Sequence, residues 1–340
     1  MVITIKDVAK HANVSLATIS RVYNNRGNVY PKTYKRIIRS IKKLGYVPNN
    51  AARTLVMKKT EAIGVIVNKL YDPFYHDLIK GFEDGANETE YNIVFCSPVG
   101  RNVERKRGYV KYLTNGVTDG VILYGSYLSD ESIIRYLVDI NFPFVLIENE
   151  IVGLDINNLL IDNFRGAEKA VEYLLDLGHK RIAHICGNMN KKANVDRIDG
   201  YIAAMQKKQL QIFNGYIQHT SRNYESGYDC MKNLISLNEM RPTAVFCVDD
   251  ATACYSIKAV MDCGLEVPKD VSVIGFDDQR ILPLRYNGPS ITTIKQPLYN
   301  IGMDSIRIMT ELLDCKKKLK KIRKVYDTEL IRRESTCPIN

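Results

Sequence analysis

Tryptophan is absent from this 340-residue chain, and so are the short patterns that announce a catalytic or cofactor centre. No GxGxxG follows a strand-like run, and there is no GxxxxGK[ST] and no GxSxG, which excludes the usual dinucleotide, phosphate-loop and serine-nucleophile signatures. No apolar run reaches about 18 residues, so no membrane span is predicted. The start, MVITIKDVAK, lacks the apolar centre of a signal peptide. The eight cysteines include no CxxC and no Cys/His ligand spacing, and the five histidines are scattered. A reducing cytoplasm is expected, without structural disulfides, zinc or another metal, and no cofactor is implied. Cys96, Cys186 and Cys247 sit inside apolar runs and read as small buried thiols.

Acidic residues are missing from one region in particular. Residues 1–60 hold 13 Lys and Arg and a single acid, Asp7, whereas the other 280 residues carry 35 basic and 37 acidic side chains. The whole positive excess therefore sits on the first sixth of the chain. A basic surface with almost no interspersed acids points to a polyanion as partner.

Within that region, TIKDVAKHANVSLATISRVY (4–23) reads as two short helices around a tight turn. Val8, Ala9 and Ala12 fall on one face of the first helix. Asn13 and Val14 make the turn, and Ser15 is placed to cap the second helix, Leu16–Tyr23. Ile19 and Val22 turn inward, which leaves Leu16, Ala17, Ser20 and Arg21 outward. Any two amphipathic helices share this outline. With the basic bias, however, it matches a helix-turn-helix that enters a DNA major groove. A third helix should begin at Pro31 and run to about Leu44, closing the core with Ile37, Ile38, Ile41 and Leu44. Residues 49–58 could cap one or two helical turns from Asn49. Alone they are too short to hold a helix, and their composition reads as a linker.

From Ala62 the pattern changes to apolar strands alternating with helices. Strands are expected at 62–67, 92–97, 120–125, 143–148, 159–162, 181–186, 244–248 and 272–276, with a final strand over 325–331. Helices are expected at 74–89, 104–114, 129–138, 164–177, 197–208, 224–235, 250–263 and 298–313. Strands apolar throughout imply parallel sheets covered on both faces. So many units suit two doubly wound lobes with a cleft between them. Ligands of such lobes bind at the C-terminal strand ends, which nominates Tyr71 to Tyr75, Tyr124, Glu148, Asp249-Asp250 and Asp277-Asp278. Each alone also fits a helix cap or a core aromatic. Together, carboxylates that accept from hydroxyls and aromatic faces that stack on a ring suit a sugar. The same carboxylates could serve a sugar-processing enzyme, but nothing fixes their separation, and that reading leaves the basic head unexplained.

TIKDVAKHANVSLATISRVYNN, LGYVPNNAARTL, LGHKRIAHICG (177–187), DRIDGY (196–201), PTAVFCVDD (242–250), VPKDVSVIGFDD (267–278) and TTIKQP (292–297) together resemble the LacI/GalR family of bacterial transcriptional regulators. The resemblance covers essentially the whole chain. It implies an all-α helix-turn-helix head (1–48), a hinge helix and linker (49–60), and an α/β periplasmic-binding-protein-like domain (61–340) of two doubly wound parallel-sheet lobes. The first lobe would span about 61–161 and 291–320, the second about 162–290 and 321–340, with crossovers near Ile161, Ser290 and Lys321. It further implies a homodimeric, non-enzymatic repressor that binds double-stranded operator DNA and a small sugar-type effector. Leu16, Ala17 and Arg21 would read bases, accompanied by Thr18 on the same helix. Ser15, Asn24 and Tyr46 would hold phosphates, and Leu55 would wedge into the minor groove, which turns 49–58 from linker to hinge helix. The effector positions would be Phe74, Tyr75, Tyr124, Glu148, Arg197, Arg222, Asp249 and Asp277. Glu148, Asp249 and Arg222 depart from the commonest residues there. Arg222 beside Arg197 would suit an anionic sugar, or would neutralise Glu148 or Asp249 around a neutral one. The segment 296–309, with Arg307, loosely resembles the region that some relatives offer to a phosphocarrier protein. The basic run 316–324 reads as a solvated loop.

Overall fold

The computed structural model describes residues 3–23, 29–46, 59–98, 102–125, 127–220, 225–279, 286–314 and 320–339. The chain divides into two units, Met1–Thr60 and Glu61–Asn340.

The first unit contains α1 (Ile5–Ala12), α2 (Leu16–Tyr23) and α3 (Pro31–Leu44). Asn13 ends α1 in the left-handed region, where its short polar side chain is tolerated. Ser15 caps α2 as its sequence position suggests, its Oγ accepting from the Thr18 amide at 3.2 Å. Val8, Ala9, Ala12, Ile19, Val22 and Ile37 form the buried core. Ile38, Ile41 and Leu44 pack against it from the side.

The second unit is built on two parallel sheets. The first lobe holds β1 (Ala62–Ile66), β2 (Asn92–Cys96), β3 (Gly120–Tyr124), β4 (Phe144–Ile147), β5 (Asn158–Ile161) and β11 (Arg323–Tyr326), in the order β2-β1-β3-β4-β5-β11. The second holds β6 (Ile182–Cys186), β7 (Ile217–His219), β8 (Ala244–Cys247) and β9 (Ser272–Ile274), in the order β7-β6-β8-β9. Every pairing in these sheets is parallel. Side chains alternate between two cores, as the two-residue period of a strand requires. Ile122 and Tyr124 of β3 go to one core, Val121 and Leu123 to the other. Val245 and Cys247 of β8 face one side, Ala244 and Phe246 the other. Both faces are therefore buried, which is why these strands are apolar throughout.

Helices α4 (His76–Asn87), α5 (Val103–Thr114) and α6 (Glu131–Asp139) flank the first sheet, with α11 (Leu298–Asp314) crossing α4. Helices α7 (Asn163–Asp176), α8 (Lys192–Lys207), α9 (Ser226–Ile235) and α10 (Asp250–Asp262) flank the second. Gly81 and Gly302 let α4 and α11 meet closely. A Cβ on Gly81 would lie 2.2 Å from the Tyr299 carbonyl oxygen.

Four expectations shift. The strand expected over 325–331 is two strands, β11 and β12 (Glu329–Ile331), and they belong to different sheets. Tyr326 pairs with Ile161 in the first lobe, while Glu329 pairs antiparallel with Lys295 of β10 (Thr293–Lys295). The third crossover therefore falls at Asp327 and Thr328, not near Lys321, and Lys169 holds it there through the Asp327 carboxylate and the Thr328 carbonyl, both at 2.6 Å. The second crossover falls after β10 rather than near Ser290, because Ile294 is still buried in a core of the second lobe. Helix α8 starts at Lys192, so Arg197 lies in its second turn rather than at its start.

Candidate functional site

On the first unit, Ser15, Leu16, Ala17, Ser20 and Arg21 form an exposed face along α2, with Leu16 44 % exposed. Thr18 is half-buried, and its hydroxyl shares a 2.9 Å hydrogen bond with Ser15. Tyr46 is half-buried beside the core. Lys32, Lys35, Arg36, Arg39, Lys42 and Lys43 of α3 are exposed. Asp7, the single acid of the head, does not offset them. Its carboxylate accepts from the Thr4 amide at 2.8 Å and the Thr4 hydroxyl at 2.7 Å, which holds it below the usual aspartate range. Such a face can give a major groove small apolar contacts and one guanidinium able to bridge guanine O6 and N7. The surrounding bases can hold phosphates. Asn24, Leu55 and the expected hinge segment 49–58 lie outside the described residues.

In the second unit the sheet orders reverse direction between β1 and β3, and again between β6 and β8. Those are the switch points where doubly wound sheets open a crevice. Phe74 and Tyr75 follow β1 in a 3-10 turn (Pro73–Tyr75), begun by the Asp72 carboxylate accepting from the Phe74 amide at 3.2 Å. Tyr124 ends β3. The three rings pack edge to face, with centroids 5.0, 6.3 and 5.2 Å apart. From the other lobe, Asp249 follows β8 and caps α10 by accepting from the Thr252 amide at 2.7 Å.

Arg197 is the centre of a buried polar network. Its Nε donates to Asn163 Oδ1 at 2.9 Å, one terminal nitrogen to the Val248 carbonyl at 2.6 Å, and the other to Asp277 Oδ1 at 3.2 Å. Its guanidinium lies 3.7 Å from the centre of the Phe276 ring. Gln296 also donates to Asp277 Oδ1, and Gln279 reaches Oδ2 at 3.4 Å. Glu148 accepts from the Ile161 amide at 3.1 Å and from Asn163 Nδ2 at 3.4 Å. Glu148 (φ 62°), Asp277 (φ 105°) and Asp278 (φ 55°) adopt left-handed backbone that non-glycine residues avoid. Strain of about 1–3 kcal/mol per residue, gathered at strand ends, is a mark of functional positions.

The electrostatics of the cleft are costly. Burial pushes the Asp277 carboxyl up to about 7, against the pull of Arg197, and raises Glu148 as well. Burial lifts Asp250 well above the carboxylate range, although it accepts from Thr293 Oγ1 at 2.6 Å and the Gln279 amide at 2.8 Å. Acids whose charged form is penalised by burial create a demand for donors or cations in the same space.

Seven of the eight effector positions expected from the sequence thus fall at the strand ends, in the turn and in the network just described. Arg222 lies outside the described residues. Three further polar groups were not nominated. Asn163 joins Glu148 to Arg197, and sits two residues beyond β5, so the strand-end rule could have found it. Gln296 lies within the TTIKQP stretch and leaves its Oε1 buried without a partner. Lys191, five residues beyond β6, is half-buried, and desolvation lowers its pKa despite the nearby Asp249 and Asp277. Arg307 of α11 is exposed and paired with Asp304 at 2.9 Å. Asp304 also binds Lys324 and the Tyr326 hydroxyl. Among the described residues no group of His, Cys, Asp and Glu is placed to hold a metal ion, and no helix is long and apolar enough to cross a membrane.

Comparison with known proteins bears on both units. Residues 4–49 match the profile for bacterial regulatory proteins of the lacI family, and residues 171–336 the profile for a periplasmic binding protein-like domain. The HTH-type transcriptional regulator RegA of Clostridium saccharobutylicum is 36 % identical over 338 residues, covering 99 % of this chain and all of RegA. A lac repressor dimer bound to operator and the anti-inducer ONPF superposes with a TM-score of 0.85 at 25 % identity, over 99 % of this chain and 100 % of that one. The transcriptional regulator CelR in complex with cellobiose superposes with a TM-score of 0.73 at 27 % identity, over 98 % of this chain and 99 % of that one.

Proposed function

Because the chain belongs to the lacI family of bacterial regulatory proteins, and is a DNA-binding transcriptional regulator rather than an enzyme, we propose that it is a homodimeric, cytoplasmic repressor whose operator affinity is set by a small carbohydrate-type ligand held between the two lobes. One head reads one half-site, so a symmetric dimer is the economical reader of a palindromic operator. In this reading Leu16, Ala17 and Arg21 touch base edges. Thr18 accompanies them on the same helix, Ser15, Asn24 and Tyr46 fix register on the phosphates, and Leu55 enters the minor groove. Phe74, Tyr75 and Tyr124 supply the apolar wall for a sugar ring. Glu148, Asp249 and Asp277 accept from its hydroxyls, while Arg197 and Lys191 donate to its oxygens. Arg222 either adds a second cation for an anionic sugar or balances a neighbouring carboxylate.

The observation that carries the reading is the Arg197 network. A guanidinium, the carboxylates of Glu148 and Asp277 and the amides of Asn163, Gln279 and Gln296 gather at strand ends, Glu148 beyond β4 of the first lobe and Asp277 beyond β9 of the second. A ligand bound there favours one relative setting of the lobes, and linkage passes that preference to the operator. A thermal-shift screen of the full chain against neutral sugars, uronates and sugar phosphates tests it. A specific upward shift is expected by mass action, and an operator shift assay in the presence of the hit should show altered affinity. No shift across the panel, or a hit that leaves operator binding untouched, would sink the ligand assignment. In the same assay Arg21→Ala should abolish preference for the operator while leaving weak, salt-sensitive binding.

A further inference from the structure

One feature of the cleft lies away from the Arg197 network. Lys106 of α5 and Asp130 form an ion pair at 2.7 Å, with side chains only 3 % and 1 % exposed. A buried pair of this kind recovers little stability over apolar residues of similar size, so its presence calls for a role in positioning. The Lys106 ammonium also reaches the Tyr124 carbonyl at 3.4 Å and lies 5.7 Å from the centre of the Tyr127 ring. Asp130 in turn accepts from the Tyr127 amide at 3.2 Å, and the Tyr127 carbonyl accepts from buried Asn149 at 3.0 Å. The backbone at Tyr127 is thus fixed from below by two side chains of its own lobe.

What this segment touches belongs to the other lobe. The Leu128 amide donates to the Asn190 carbonyl at 2.8 Å, Tyr127 and Lys191 form an antiparallel bridge, and the Lys191 ammonium sits 5.8 Å from the Tyr127 ring. The receiving segment is itself rigid. Asn190 donates its amide to Asn188 Oδ1, and Asn194 Nδ2 donates to the Asn188 carbonyl. It leads directly into α8, the helix that carries Arg197.

We propose that Lys106 is a positioning residue for the lobe closure: by holding Asp130 inside the first lobe it seats Tyr127 and Leu128 against Asn190 and Lys191, latching the cleft at the point where α8 begins. The latch couples the first lobe to the helix whose second turn holds the candidate effector arginine. Its consequence for ligand control rests on the function proposed above, but its existence does not, because only the chain's own residues make it.

Hydrogen exchange of the full chain without ligand tests it. Replacing the pair as Lys106→Met with Asp130→Leu removes both charges and leaves none buried alone. The Leu128 amide and the segment 190–194 should then exchange about tenfold faster, with β3 and β4 unchanged. Leu128→Pro deletes only the cross-lobe donor. Tyr127 already has the extended backbone (φ −94°, ψ 140°) that a following proline demands. In that variant 190–194 should loosen while the Tyr127 amide on Asp130 keeps its protection. Wild-type protection at Leu128 in a folded double variant, or at 190–194 in Leu128→Pro, would overturn the proposal. If the double variant does not fold, Lys106→Met alone, which leaves a carboxyl able to take up a proton, replaces it with the same expected loosening at Leu128 and 190–194, and wild-type protection there would overturn the proposal. A failed ligand screen would sink the proposed function and leave this result standing.

Discussion

Replacing Asp277 by Asn separates the two forces acting on the carboxyl at the heart of the cleft. Burial raises it and Arg197 lowers it, with the balance at about 7. In the unfolded chain an aspartate titrates near 4. The folded state therefore binds this proton more tightly. By linkage the carboxyl's contribution to stability is complete below about pH 4, is lost as pH rises through about 7, and changes no further above that. A displacement of this size corresponds to at most about 4 kcal/mol. Asp277→Asn keeps the side-chain shape and removes the titration. Urea unfolding of wild type and variant, followed by far-UV circular dichroism at about pH 4.5 and about pH 7.5, gives the difference directly. The variant should gain on the wild type by about 3 kcal/mol as pH rises across that window. A difference independent of pH would refute the account. A change of opposite sign would mean that the Arg197 pair, not burial, dominates the site.

Arg197→Ala should leave operator binding by the head intact and remove the ligand response. It also takes the cation from Asp277 and the donor from Asn163 Oδ1 and the Val248 carbonyl, costing about 3–5 kcal/mol of unfolding free energy in the second unit. Gly81→Ala should cost about 2 kcal/mol by denaturant unfolding, because the new methyl meets the rigid Tyr299 carbonyl and forces α4 from α11. Ser15→Ala removes the cap on α2 and should lower the head's own stability by about 1 kcal/mol. Its melting followed by circular dichroism would show this, and an unchanged midpoint would mean the cap is idle.

The head was almost fully legible because its determinants are local. A capping Ser15, a turn at Asn13 and an apolar face at helical spacing fix α1 and α2 within twenty residues, and Ile19, Val22 and Ile37 then close the core they mark. The second unit was legible as far as element type. Strands apolar on both faces, such as 120–124 and 244–247, had only parallel sheets covered by helices open to them. The misses came where neighbours in space overrule neighbours in sequence. The run 325–331 is broken only by Asp327, and nothing local says that Tyr326 will pair with Ile161 while Glu329 turns to Lys295. The three residues of β7 are too few to stand out from a polar loop. The start of α8 is masked by its own polarity, since KKANVD carries no apolar stripe.

The same division holds for function. The sequence by itself determined that a basic, acid-poor helical head precedes an α/β body, and it nominated strand-end residues one at a time. Composition and period-bound patterns carry that information because they depend on residues a few positions apart. Only the tertiary structure decided which strand ends meet. The orders β2-β1-β3 and β7-β6-β8 put the switch points beside Phe74, Tyr75 and Tyr124 in one lobe and Lys191 and Asp249 in the other. It also turned Arg197, Asn163, Asp277 and Gln296, spread over more than a hundred residues of chain, into one buried network. Strand order is set by long-range packing of helices on both faces of each sheet, and no local pattern in a single chain encodes it.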